Sequence, residues 1–239
     1  MAITPLGLLI GGTASIAMLS SIIIGIYFIY KSRKLNADLL LYSGFLIICT
    51  GCFYLGSFTD FMYVLFFGMN IPIQQLHGLL GFTSVAPAVL CAIYLGSSLI
   101  IPSKKKIITG IYVVISIIFE IILYLRSGVA IEYDIGPNNT GIPGADLLDS
   151  RFNTSDPTFF LIIFFLVSAL IFCGIGFTIK AKQSSGELKK KFVYLSGGFM
   201  VFVVCAALDT LIAPGIALIF IRLGMISYAW LVYLGLRPS

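Results

Sequence analysis

Seven apolar runs, each about as long as a bilayer is thick, fill nearly all of this chain. The hydrocarbon core is ~30 Å across and an α-helix rises 1.5 Å per residue, so about 20 apolar residues cross it. Runs at 5–30, 38–67, 73–101, 107–125, 158–179, 188–212 and 215–236 answer to that length. Lipid offers no partner to a backbone N–H or C=O, so each run has to satisfy its own hydrogen bonds as a helix. The expected fold is an all-α membrane protein, one seven-helix transmembrane bundle over residues 1–239, multi-pass in a cell membrane. With 59% hydrophobic and 10% charged residues, against ~25% charged in soluble domains, nothing is left over for a second domain.

Charge sets the expected orientation. No Lys or Arg precedes the first run, and Lys31, Arg33 and Lys34 follow it, the reverse of a cleaved secretory signal. Twelve of the fifteen Lys and Arg residues lie in the turns after runs one, three and five or at Arg237. Asp60, Glu132, Asp134, Asp146, Asp149 and Asp156 lie toward the other face. The positive-inside rule therefore puts the N-terminus outside, the C-terminus in the cytoplasm and the loop 126–157 outside. Turn residues dominate that loop (Gly136-Pro137-Asn138-Asn139, Gly141-Ile142-Pro143-Gly144), which carries Asn-x-Ser/Thr sequons at Asn138 and Asn153. Because the basic clusters sit between spans, they speak for topology and contact with anionic lipid, not for nucleic acid. Tyr228, Trp230 and Tyr233 fit an aromatic belt at the cytoplasmic surface.

The last two runs form a hairpin around Ala213-Pro214-Gly215 with two opposite charges inside it, Asp209 and Arg222. Asp209 precedes the turn by about one helical turn and Arg222 follows it by about two, so both lie at similar depth below one face. A charge in lipid costs at least ~3 kcal/mol unless paired or facing a polar cavity. The two are expected to compensate each other or to share a water-filled pocket. Counting residues puts Glu120, Asp60 and His77, the single histidine, in the outer half as well. Asp60, His77, Glu120, Asp209 and Arg222, from five helices, are thus the candidate ligand-binding residues of a cavity open to the outside. Interhelical hydrogen bonds that merely fix packing, and a proton or ion path, stay open as alternatives.

Other chemistries find little support. Cys49-Thr50-Gly51-Cys52 is a C-x-x-C, but it lies mid-run without a basic neighbour and reads as packing. All five cysteines fall inside apolar runs, so no disulfide framework is expected. One histidine is too few for a multi-histidine zinc site, and no helix core holds a lysine for a Schiff base. Neither an enzyme nor a cofactor or metal is expected. Pro87 should loosen the third helix. Small residues (Gly11, Gly12 and Ala14; Gly78 and Gly81; Gly174 and Gly176; Gly197 and Gly198) allow close helix approach and leave a homodimer open.

The pattern resembles the seven-helix membrane sensor region at the N-terminus of many prokaryotic histidine kinases and related signalling proteins. The likeness is carried by Leu188-Lys189-Lys190-Lys191-Phe192-Val193-Tyr194-Leu195, Ile221-Arg222-Leu223-Gly224 and Tyr233-Leu234-Gly235-Leu236-Arg237. It implies a receptor-like protein that binds a small ligand and signals inward. The chain ends three residues after Leu236, so the output is expected from a separate cytoplasmic signalling partner. G-protein-coupled receptors and microbial rhodopsins share the topology alone. A small-molecule or ion transporter, or a structural subunit of a membrane complex, is the competing reading.

Overall fold

The computed structural model describes residues 3–136, 141–212 and 216–237. Among them seven long helices carry the fold: α1 Pro5–Leu35, α2 Asp38–Phe67, α3 Gln74–Ile100, α4 Pro102–Leu125, α5 Pro157–Gln183, α6 Gly186–Leu211 and α7 Ala217–Leu236. A one-turn helix, Ser127–Ala130, and two strands, β1 Ile131–Ile135 and β2 Leu148–Phe152, stand between α4 and α5. All seven helices are long and apolar enough to cross a bilayer, and the chain is a multi-pass membrane protein.

The perimeter fits a lipid solvent. On α4, Ile107, Ile111, Val114, Ile118, Ile121 and Leu125 form an exposed stripe at helical spacing, while Tyr112, Ser116, Phe119 and Leu123 are buried on the other side. So continuous an apolar face is unfavourable in water and at ease in lipid. Inside, α1 and α2 meet backbone to backbone: a Cβ on Gly44 would stand 2.8 Å from the Gly25 carbonyl oxygen. Gly11, Gly78, Gly81, Gly174, Gly176 and Gly198 likewise face neighbours within this chain, whereas Gly12 and Gly197 meet nothing within 4 Å.

Departures from regular helix follow local chemistry. Thr4 caps α1 by accepting the Gly7 N–H at 3.0 Å, with Pro5 at the first helical position. α2 tightens into a 3₁₀ turn at Cys52–Tyr54. α3 opens at Thr83 and Ser84, one turn before Pro87, which has no N–H to give the Thr83 carbonyl. α5 holds one π turn, Leu170–Ile175, where the Gly174 carbonyl accepts the Ser196 hydroxyl at 2.8 Å and the Thr178 hydroxyl at 3.0 Å.

The described residues of the turn-rich segment after α4 form a roof over one end of the bundle. β1 and β2 pair antiparallel, Tyr133 opposite Ser150 and Asp134 opposite Asp149. Asp60, fully buried near the end of α2, pins the roof down. Its Oδ1 accepts the Ile71 N–H at 2.8 Å, and its Oδ2 accepts the Leu148 N–H at 2.7 Å and Asn70 Nδ2 at 2.9 Å. Asn70 also donates to the Asp146 carbonyl and accepts the Gly144 N–H, at 2.9 and 2.8 Å. Thr4 brings in α1, its N–H reaching the Ala145 carbonyl at 2.9 Å and its hydroxyl the Asp146 carboxylate. Gly144 combines a positive φ of 76° with close approach to the Gly68 carbonyl, so a side chain there meets both strain and a clash.

Some expectations shift. α1 runs on to Leu35, α4 starts at Pro102 and α5 reaches Gln183. Tyr228, 1% exposed, belongs to the core and not to an aromatic belt, while Trp230 is 54% exposed. Asn153 donates from Nδ2 to the Val129 carbonyl at 3.2 Å and accepts the Ser155 N–H at 3.0 Å. Asn138 and the Ala213-Pro214-Gly215 turn lie outside the described residues.

Asp60→Ala strands three buried donors at once. It should cost about 3 kcal/mol or more, seen as a lower Tm and faster proteolysis between residues 132 and 149.

Candidate functional site

Beneath the roof the bundle is hollow in two adjoining parts. The polar part, about 50 Å³, lies between Tyr54 of α2, His77 of α3, Asp149 and Ser150 of β2, Asp209 of α6 and Arg222 of α7. The apolar part, about 100 Å³, runs deeper among Leu46, Ala88, Ala92, Phe165, Phe202 and Met225. Phe53, Phe82 and Asp209 border both, so the Asp209 carboxylate stands at their junction. One water needs ~10–15 Å³ of such space, so the polar part has room for a few.

Arg222 is 4% exposed and reaches away from its own hairpin. Its Nη1 donates to the Ile10 carbonyl and, at 3.0 Å, to Thr13 Oγ1, both on α1. Its guanidinium carbon lies 5.4 Å from the centre of the Tyr54 ring, a cation–π distance. Among the described residues the ion pairs are Arg126–Asp156 and those of Arg151 with Asp134 and Asp149. The expected direct compensation of Asp209 by Arg222 is therefore absent: α1 and Tyr54 hold the cation, and the two charges meet only across the polar chamber. Of the two arrangements the hairpin allowed, the shared pocket is the one found.

Three polar atoms bordering this chamber are buried without a partner: Tyr54 Oη, His77 Nε2 and Arg222 Nε. The His77 ring is held from its other nitrogen, Nδ1, 3.1 Å from Ser150 Oγ. When Ser150 donates to Nδ1, Nε2 carries the proton, and all three atoms offer a hydrogen toward the chamber. An unmatched buried donor costs ~1–3 kcal/mol, so this set calls for water or a ligand.

The roof adds a titratable group. Asp149 has Arg151 at 3.7 Å and is one of the residues lining the chamber. Burial, and then the nearby Asp209, push its carboxyl up to about 6, against the pull of Arg151 and Arg222. Asp156, the N-cap of α5, goes the other way. Burial raises it, but the Thr158 N–H and hydroxyl together with Arg126 at 2.9 Å hold it below the usual carboxylate range.

His77, Asp209 and Arg222 are thus brought together, and two other expected members stand apart. Asp60 spends its oxygens on the roof and on the connection between α2 and α3. Glu120 faces a groove between α3 and α4, because the turn of α4 that bears it points away from the axis. Sequence reasoning missed Tyr54, Asp149 and Ser150. Tyr54 carried a signal, a hydroxyl inside an apolar run that needs a partner; the two roof residues came from a loop whose pairing no periodicity announced. The five cysteines are free thiols, and Cys173 donates to the Ala92 carbonyl at 3.2 Å beside the π turn. Compared with known proteins, the chain matches no family model and no curated protein.

Arg222→Gln frees no paired carboxylate, so it should cost about 1–3 kcal/mol in unfolding free energy, and not the ~3–5 kcal/mol of a broken buried ion pair. A second outcome concerns pH. Folded Asp149 keeps its proton to about pH 6, whereas the ordinary value is 3.8, so its contribution to stability is full below 3.8 and lost as pH rises through about 6. Asp156 acts oppositely, contributing above its ordinary value and losing that contribution as pH falls below it. Asp149→Asn should therefore flatten the Tm-versus-pH curve from about pH 4 to about pH 6.

Proposed function

We propose that the chain is a seven-helix membrane sensor that takes a small amphiphile into the two-part chamber and passes its arrival to the basic end of the bundle. One observation carries this reading: the Asp209 carboxylate divides an apolar hollow from a polar one in which Tyr54, His77 and Arg222 present unmatched buried atoms. Such a division suits a ligand with an apolar body and a polar head. A dry cavity of about 150 Å³ takes up benzene, so the occupant is a short chain or a single ring rather than a phospholipid.

A packed route leads from the chamber toward the lysines. Phe202 borders the apolar part, and ring centroids then follow at 4.9 Å to Tyr228, 5.6 Å to Phe199, 5.8 Å to Phe177 and 6.2 Å to Phe192. Phe192 directly follows Lys189, Lys190 and Lys191. Leu166 and Ala169, which also border the chamber, lie just before the π turn of α5, an element able to change register. Contiguity of this kind supports coupling by association, since both ends must bias one two-state element. The likeness of the basic turn and last helix to kinase sensor regions points the same way. In this reading Lys104–Lys106 and Lys189–Lys191 meet a separate cytoplasmic protein or anionic lipid. Transport is the weaker reading, because Phe177, Phe199 and Tyr228, at 0, 0 and 1% exposure, close the chamber off toward the basic end.

The test uses protein in lipid nanodiscs and three six-carbon probes: hexanoic acid, hexanol and hexanamide. At least one should raise Tm by binding the folded state and shift the emission of Trp230, the single tryptophan, which stands edge-on to Tyr233 at the basic end. Asp209→Asn and Arg222→Gln should abolish both effects while the protein stays folded. No response to any probe, or a response that survives both substitutions, overturns the reading; probe uptake into sealed vesicles would establish transport instead.

A further inference from the structure

We infer that the groove between α3 and α4 is a second binding site, reached from the lipid, and that it takes a membrane-dissolved molecule with a primary ammonium head. The groove measures about 400 Å³ and has Thr83, Pro87 and Leu90 on one wall and Val113, Ser116 and Glu120 on the other. It shares no lining residue with either part of the central chamber.

Three of its polar atoms are unmatched. Both carboxylate oxygens of Glu120 and the hydroxyl of Ser116 are buried without a hydrogen-bond partner, and Ser116 is 3% exposed. Four residues apart on α4, the two side chains stack on one helix face. Several hydroxyls in these helices turn back on the chain: those of Ser15, Ser43, Thr59 and Ser168 each donate at 2.7 Å to the carbonyl four residues earlier. Ser116 does not, and its oxygen is buried without a partner. Across the groove Pro87 deprives the Thr83 carbonyl of its helical N–H. Tyr124 Oη and Thr83 Oγ1, 3.0 Å apart, tie α3 to α4 nearby.

The residues lining the groove thus bring three buried, unmatched oxygens behind an otherwise apolar surface, and no cation lines it. An ammonium group brings three N–H donors and no acceptor, one donor for each of Glu120 Oε1, Glu120 Oε2 and Ser116 Oγ. It also neutralises a carboxylate that would otherwise stand charged against lipid. A fatty acid would set two carboxyl groups face to face, and an alcohol has a single donor to share among three oxygens. Exposed Pro87, Val113, Ile117 and Ile121 leave the groove open at the perimeter, where an alkyl tail can lie along them.

The experiment uses the full chain in phosphatidylcholine nanodiscs and a dodecylamine carrying a photoreactive diazirine on its chain. Labelling, mapped by mass spectrometry, should saturate at residues 87–90 and 113–121. Unlabelled dodecylamine should compete, and dodecanol and dodecanoic acid should not. Glu120→Gln should lower labelling about tenfold, the loss of a charge-assisted contact, with Asp209→Asn leaving it unchanged. Should Glu120→Gln lower Tm, Ser116→Ala supplies the reading by removing one acceptor, and labelling should fall about threefold. Equal labelling by an alcohol probe, or labelling indifferent to both substitutions, means the groove holds ordinary lipid and overturns the proposal. Crosslinks between two copies of the chain at 113–121 overturn it as well, in favour of a protein partner.

Discussion

A guanidinium inside a bilayer must be answered by the protein, and the answer given to Arg222 sets the geometry of the whole bundle. Its nearest opposite charge along the chain, Asp209, does not pair with it. The guanidinium reaches instead to the Ile10 carbonyl and Thr13 on α1 and lies over the Tyr54 ring of α2. One side chain thereby joins the last helix to the first two. Because this grip uses Nη1, Nε is left facing inward, and Asp209 is left free at the boundary of the apolar hollow. The chamber exists because these charges are held apart. A direct pair at that depth would be well compensated and would close the space.

The three intramembrane carboxylates illustrate how surroundings decide the fate of one chemical group. Asp60 receives one donor from the roof and two from the connection between α2 and α3, and becomes a structural rivet. Asp209 faces an enclosed polar space with a cation on its far side. Glu120 has neither donor nor cation, and its oxygens are buried beside a groove on the perimeter. Charge alone gave no hint of these differences; they arise from which backbone N–H groups and which cations the fold delivers to each oxygen. The roof matters twice over, since it satisfies Asp60 and brings Asp149 and Ser150 down to complete the polar chamber.

Much of this was legible beforehand, for a definite reason. The number of spans and their approximate ends follow from hydrophobic length, which lipid enforces strictly. Depth followed from counting residues, and it put His77, Asp209 and Arg222 at a common level. Rotation about each helix axis was not legible. A few tens of degrees separate a side chain facing the axis from one facing a groove, and Glu120 fell on the wrong side of that margin. The same ambiguity made Tyr228 look like an interfacial anchor when it packs against Phe199 and Phe202 in the core. The roof was hidden because its strands are short and rich in charge: β1 alternates over five residues only, and β2, Leu-Asp-Ser-Arg-Phe, does not alternate at all. The π turn of α5 left no trace in sequence, since Leu170–Ile175 is as apolar as the helix around it.

The central claim is that ionisable side chains surround a filled polar space instead of bonding to one another. A high-resolution electron cryomicroscopy map of the protein in nanodiscs addresses it directly. The account predicts ordered density within hydrogen-bonding distance of Tyr54 Oη, His77 Nε2 and Arg222 Nε, with the Arg222 guanidinium still on α1. Arg222 swung over into contact with Asp209, and no density in a collapsed chamber, would contradict it.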